Sequence, residues 1–333
     1  MIPIVYIVGL ALSFYLAWCL GANDAANPTD CAVGSGVASL RRALMLFAIF
    51  AALGALLQGF MVMKTIDRGI VPRVDVTGAF TITLAACIWI TLCTWKGMPV
   101  STTHSIIGAV LGYGFVTYGI GGIRWEVSKI VFISMVASPL LSLLLASGIY
   151  RAFVPAFRRF GGAAADKAIR WLLIGSLCFS AYAFGANDIA NATGVFVTVT
   201  GELGEIPSYG AMLLLALFGS LGIALGGFTW GYRVIETSAR RVTRLSPLTG
   251  LSAELSNASS VYLFTTVPYA LFGWGMPVST TQSTIGSIIG VGIAGGGTVD
   301  RATVAKIIAA WALTLPAAAI LSIILNKVAL TFI

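Results

Sequence analysis

The sequence predicts an all-α, polytopic membrane protein built as two inverted structural repeats, and three observations carry that expectation. Hydrophobic residues make up 58% of the 333 positions and charged residues only 10%, against about 25% charge in a soluble domain. Long apolar runs cover residues 2–20, 43–63, 80–95, 130–150, 212–229 and 302–325, and a helix needs about 20 apolar residues to cross the hydrocarbon. Third, Gly97-Met98-Pro99-Val100-Ser101-Thr102-Thr103 recurs as Gly275-Met276-Pro277-Val278-Ser279-Thr280-Thr281, an offset of 178. Contiguous, chemically diverse residues do not recur by compositional drift, so the chain reads as a duplication with a site built between its halves. Its apolar length allows roughly ten to twelve membrane segments, some of them broken or re-entrant. The runs do not alternate between lipid and lumen faces, which argues against a β-barrel.

The first repeat, residues 1–150, opens on the run 2–20. That run lacks a basic leader region and a small-residue cleavage site, so it reads as a retained helix and not a signal peptide. It breaks at Gly21-Ala22-Asn23-Asp24-Ala25-Ala26-Asn27-Pro28, where polar residues and a proline are tolerated if the backbone lines a cavity inside the protein. A small-residue stretch, Arg41-Arg42 and the span at 43–63 follow, then a polar linker over 64–76 and the span at 80–95. The first heptapeptide opens an apolar segment over 106–116, and one more span ends at Tyr150. Residues 151–170 carry Arg151, Arg158, Arg159, Lys167 and Arg170 against Asp166, which the positive-inside rule makes a basic cytoplasmic linker. The net charge of +8 therefore does not point to nucleic acid: the basic residues lie in short loops between apolar runs and set orientation.

The second repeat, residues 171–333, replays the first. Gly185-Ala186-Asn187-Asp188-Ile189-Ala190-Asn191 matches the segment starting at Gly21 at an offset of 164. A longer and more basic linker, with Arg233, Arg240, Arg241 and Arg244, stands where 64–76 stood, and that charge bias favours inverted over parallel repeats. Cys19, Cys31, Cys87, Cys93 and Cys178 are scattered through apolar sequence without zinc-like spacing and read as free buried thiols.

In Pro-Val-Ser-Thr-Thr, proline pre-sets a helix start and the hydroxyls satisfy its first N–H groups. A helix N-terminus carries about half a positive charge and binds anions. Two such starts brought together would offer an oxyanion two dipole ends and the hydroxyls of Ser101, Thr102, Thr103, Ser279, Thr280 and Thr281. The alternative is a pair of ordinary capped helices at the membrane surface. Asp24 and Asp188 lie in apolar sequence with no lysine or arginine within several residues, at a cost of at least about 2.5–3.5 kcal/mol each on insertion scales. With Asn23, Asn27, Asn187 and Asn191 they form a hard-oxygen set suited to a small cation; the alternative is polar glue between helices. A phosphate dianion beside two buried aspartates is not offset by helix dipoles alone, so sodium ions or protons should enter with it.

The two Gly-Ala-Asn-Asp-x-Ala-Asn and two Pro-Val-Ser-Thr-Thr motifs, in this order, resemble the inorganic phosphate transporter (PiT) family over nearly the whole chain. The resemblance implies a secondary active symporter that imports inorganic phosphate by alternating access in the cell membrane, coupled to sodium and without a cofactor, and not an enzyme. It also implies a homodimer in the lipid bilayer. On the matching positions, phosphate falls to Ser101, Thr102, Thr103, Ser279, Thr280, Thr281, Asn27 and Asn191, and sodium to Asn23, Asp24, Asn187 and Asp188. Some members use protons, which leaves a proton-coupled carrier of phosphate or of another oxyanion such as sulfate as the alternative. The first motif departs from the family pattern: Pro28 and Asp30 stand where the second half has Ala192 and Gly194. Asp30 either adds a cation ligand or faces water.

His104, the one histidine, follows Thr103 and titrates near neutral pH, but its counterpart is Gln282, so a hydrogen-bonding role common to both is expected. Ser101 with His104 lacks the third member of a triad, which disfavours an intramembrane serine hydrolase. An anion channel would leave the Asn-Asp pairs without a purpose. Glu236 beside arginines reads as an ion pair, and Glu254 among small and polar residues either reaches the site or is structural.

Overall fold

Each long apolar run folds into helix. A computed structural model describes residues 3–95, 100–232, 235, 245–297 and 301–332; Gly97, Met98 and Pro99 of the first heptapeptide and Arg233, Glu236, Arg240, Arg241 and Arg244 of the second linker lie outside them. The first half comprises α1 (Ile4–Asp24), α2 (Ala26–Gly34), α3 (Leu40–Gln58), α4 (Phe60–Arg68), α5 (Val76–Trp95), α6 (Thr102–Tyr118) and α7 (Trp125–Phe160). The second comprises α8 (Gly162–Thr193), α9 (Val197–Leu203), α10 (Ser208–Gly226), α11 (Pro247–Phe272), α12 (Thr280–Ala294) and α13 (Arg301–Phe332). There is no strand among the described residues.

Seven stretches among the described residues are long and apolar enough to span a membrane, so the chain is an integral membrane protein. By that measure the expected ten to twelve segments are not reached. The rest of the apolar length lies in α6, α11 and α12, which are shorter or richer in buried Ser, Thr and Asn. The spanning helices turn their polarity inward. On α7, Ile133, Val136, Leu140 and Leu144 are exposed while Ser134, Ser138 and Ser142 are buried, the arrangement a lipid solvent selects.

Glycines set the helix crossings. A Cβ on Gly54 of α3 would strike the Tyr182 carbonyl of α8, and one on Gly185 of α8 would strike Ala51 of α3. In the same way Gly21 of α1 meets Ile223 of α10, and Gly226 meets Trp18. The pattern repeats between Gly108 and Gly112 of α6 and the α13 backbone, and between Gly286 and Gly290 of α12 and the α7 backbone. Without a hydrophobic drive between helices in lipid, such close backbone approach supplies the packing. Each half thereby interlocks with the other.

Three segments differ from the sequence expectation. The run 43–63 is interrupted at Gly59, where α3 gives way to α4. Residues 64–68 are helical and not linker: Asp67 is buried and accepts from Thr198 N and Oγ1 at 3.1 and 2.7 Å, with Arg68 3.4 Å away. Residues 151–170 are the ends of two long helices that meet at Gly161 and Gly162, both with φ in the left-handed region, 55° and 65°. Two glycines there turn the chain where any Cβ would be strained.

Candidate functional site

The second heptapeptide runs as extended chain into α12, and extended backbone inside a membrane protein must find partners for its polar groups. From Gly275 to Val278 it does. Gly275 N donates to Met61 O (2.7 Å) and Met276 N to Phe264 O (3.0 Å). Thr65 Oγ1 donates to Gly275 O, Asn187 Nδ2 to Met276 O, Ser134 Oγ to Pro277 O and Thr103 Oγ1 to Val278 O. Val278 N donates to Asn187 Oδ1 at 3.1 Å. The partners come from both halves of the chain, so this segment exists only in the assembled fold.

Ser101 and Ser279 cap α6 and α12 with matching geometry: each has extended φ and ψ, and each side chain accepts the N–H three residues on, from His104 and Gln282, at 3.2 Å. The capping half of the expectation is therefore met by both serines. Their hydroxyls are engaged by their own helix starts, whereas the neighbouring threonines point across the interface.

Asp24 joins the two starts. Thr102 Oγ1 of α6 donates to its Oδ2 at 3.1 Å, and Thr281 Oγ1 of α12 donates to its Oδ1 at 3.4 Å. Asn27, one turn on, donates Nδ2 to Thr280 Oγ1 (3.2 Å) and Thr281 Oγ1 (3.1 Å). From the other half, Asn191 donates Nδ2 to Thr103 Oγ1 and to Asp188 Oδ1, each at 3.0 Å. Asp188 is wholly buried, and its Oδ2 together with Asn191 Oδ1 lacks a hydrogen-bond partner. The structure thus gathers Asp24, Asn27, Thr102, Thr103, Asp188, Asn191, Thr280 and Thr281 in one buried cluster between two helix N-termini.

Two expected residues stand to one side. Asn23 donates to Thr94 Oγ1 at 2.7 Å. Asn187 spends its amide on Thr265 and on the backbone of Met276 and Val278, so its first task is to clamp the extended segment. Backbone oxygens through 185–191 are engaged within intact α8, which leaves the oxygen set there to side chains. Sequence reasoning did not single out Thr65, Thr94, Ser134 or Thr265; for Thr94, Ser134 and Thr265 the available signal is a hydroxyl inside a mostly apolar helix, while Thr65 sits among the charges of α4 and gives none.

The sequence profile of the phosphate transporter family matches this chain twice, over residues 20–160 and 157–322. The chain belongs to that family. The two matches meet where α7 gives way to α8. A chain of Pyrococcus horikoshii whose name proposes a phosphate permease is 32% identical, with 97% of each chain covered. The chloroplastic inorganic phosphate transporter 2-1 of Arabidopsis thaliana is 29% identical over 95% of this chain and 70% of its own. Among solved structures, a sodium-dependent phosphate transporter superposes with a TM-score of 0.87 at 27% identity, covering 99% of this chain and all of that one.

Proposed function

We propose that this member of the phosphate transporter family is a secondary active symporter that imports inorganic phosphate with sodium by alternating access. Residues 1–150 and 171–333 form its inverted repeats, and 151–170 its cytoplasmic side, in a homodimer of the cell membrane. One observation carries the reading: Asp24 accepts from Thr102 of one helix start and Thr281 of the other. Phosphate needs those same hydroxyl protons. While Asp24 holds them they are turned away from an anion, and a cation on Asp24 releases them. Coupling is then a competition for two hydroxyls.

In this scheme Asp24 and Asp188 are the charged sodium ligands, with the unpartnered Asp188 Oδ2 and Asn191 Oδ1 completing an oxygen set that Asn23 and Asn187 border. Phosphate lies against the N–H groups that open α6 and α12, held by Thr102, Thr103, Thr280 and Thr281 with the amides of Asn27 and Asn191. Ser101 and Ser279 act by fixing those helix starts. The sodium named for the solved relative supports this over proton coupling.

Equilibrium binding of labelled phosphate to purified protein tests it. Sodium should tighten binding at least about tenfold, equivalent to about 1.4 kcal/mol of coupling, and Asp24→Asn should abolish that difference. A folded Asp24→Asn variant with undiminished sodium dependence contradicts the scheme.

A further inference from the structure

Where α7 meets α8, outside the site described above, the two helix ends enclose a cavity of about 310 Å³, within the range of small-ligand sites. Val154 and Phe157 of α7, Ile169 of α8 and Leu248 of α11 form an apolar wall, and Tyr150, Arg158 and Asp166 supply polar groups. Arg158 and Asp166 are exposed, and the ion pairs among the described residues, Arg68–Asp67 and Arg73–Glu202, include neither. The guanidinium and the carboxylate share one cavity without neutralising each other.

Helix length fixes the level of this cavity in the bilayer. The 36 residues of α7 extend about 54 Å, against about 30 Å of hydrocarbon, so the helix overruns the membrane core. Its large lipid-facing side chains, Ile133, Val136, Leu140 and Leu144, stop two turns before exposed Arg151. On α8, exposed Trp171 carries the Arg42 guanidinium 5.7 Å from its ring centroid, as an aromatic anchor at a membrane interface does. Tyr150 and Ile169 of the cavity lie beside these two markers in sequence. The cavity therefore begins at the hydrocarbon edge and extends into the headgroup layer.

The local charge is positive. Arg151 stands two turns from Arg158 on the same side of α7, and Arg170 one turn from Asp166 on α8. Both arginines are exposed and outside the ion pairs, so three guanidinium groups stand against one carboxylate beside an apolar cup. An amphiphile with a negative head uses both features. Free inorganic phosphate would use the charges and leave the wall bare. A zwitterionic headgroup brings no net charge to balance the surplus.

We propose that this cavity binds the headgroup of an anionic phospholipid such as phosphatidylglycerol. Arg158 holds the lipid phosphate, for which a guanidinium has the matching fork of donors, and Arg151 and Arg170 add attraction. The glycerol backbone and first acyl carbons lie on Val154, Phe157, Ile169 and Leu248. Basic pockets between helices at a membrane surface recognise lipid headgroups in this way. Asp166 opposes the headgroup and moderates its affinity. The bound lipid ties the junction of the two halves to the bilayer surface, whichever ion drives transport.

Native mass spectrometry of the purified protein in a neutral detergent tests this, with phosphatidylglycerol, phosphatidylethanolamine and phosphatidylcholine of identical acyl chains added in turn. Wild type should retain phosphatidylglycerol at least about fivefold over either zwitterionic lipid, and Arg158→Ala should lose about fivefold, the worth of one basic side chain near a charged lipid surface. Arg159 does not line the cavity, and Arg159→Ala should stay within about twofold of wild type. Asp166→Asn should bind phosphatidylglycerol more tightly. Equal retention of the three lipids overturns the proposal, as does an Arg158→Ala protein that binds phosphatidylglycerol like wild type. A preference for phosphatidylethanolamine that Asp166→Asn abolishes gives the cavity to a zwitterion, and displacement by inorganic phosphate at constant ionic strength gives it to the free ion; either result overturns it. If Arg158→Ala does not fold, Asp166→Asn decides, and unchanged or weaker binding overturns the proposal.

Discussion

Gln282 Nε2 lies 3.4 Å from His104 Nε2, so the residues that follow the two copies of the heptapeptide meet each other. His104 Nδ1 lies 2.6 Å from Ser101 Oγ, tying this contact to the cap of α6. An imidazole and an amide share the arrangement because each can donate and accept. His104→Gln keeps it and should leave uptake and its pH dependence within about twofold of wild type. His104→Ala should reduce uptake. A pH profile flattened by His104→Gln would make the imidazole a proton carrier instead.

The serine caps predict a paired but unequal stability effect. Ser101→Ala and Ser279→Ala each remove an acceptor from a helix start, worth about 1 kcal/mol. The backbone geometry of the two caps is the same, but Ser101 Oγ also contacts His104 Nδ1, so unfolding free energy in detergent should fall at both sites and further in Ser101→Ala. A loss at one site only would contradict this.

The glycine crossings predict a steeper one. Gly54→Ala and Gly185→Ala each push a methyl group into the backbone of the facing helix, and overpacking of this kind costs about 1–3 kcal/mol. Thermal unfolding should drop for both, with less than the summed loss in the double variant, because one separation of α3 from α8 relieves both clashes. Gly148→Ala is the control, since a Cβ there meets open space.

The polar contacts at 67–73 divide by burial. Arg73 and Glu202 are paired at 2.6 Å but each is about half exposed, so Glu202→Gln should change stability by less than about 1 kcal/mol. Thr198 is buried and supplies both oxygens of buried Asp67 with a hydroxyl contact. Thr198→Val should cost about 1–3 kcal/mol. Denaturation of the two variants side by side checks the contrast.

Local features were legible in the sequence because they rest on adjacent residues. Ser101 and Ser279 were readable as caps from Pro-Val-Ser-Thr-Thr, and the lipid-spanning helices from apolar length. The partnership of Asp24 with Thr102 and Thr281 joins positions 78 and 257 apart, and only the packing of two halves creates it. The duplicated motifs announced a shared site without its wiring. Residues 64–68 read as linker because Lys64, Asp67 and Arg68 are charged; burial of Asp67 depends on Thr198, 131 positions away. Asn187 looked like a cation ligand by composition, and its clamp on Met276 and Val278 became visible only with the extended segment in place. For Glu254, its small and polar neighbours hid how completely α2 and α8 enclose it.

The most direct test of the central claim is labelled-phosphate uptake into proteoliposomes at fixed pH, under an inward sodium gradient and under an equal potassium gradient. Wild type, Asp24→Asn and Asp188→Asn should be compared, with excess sulfate as competitor. The account predicts concentrative uptake with sodium alone, unaffected by sulfate, and at least about tenfold lower in either variant. Uptake indifferent to sodium and driven by an imposed pH gradient, or undiminished in both variants, would contradict it.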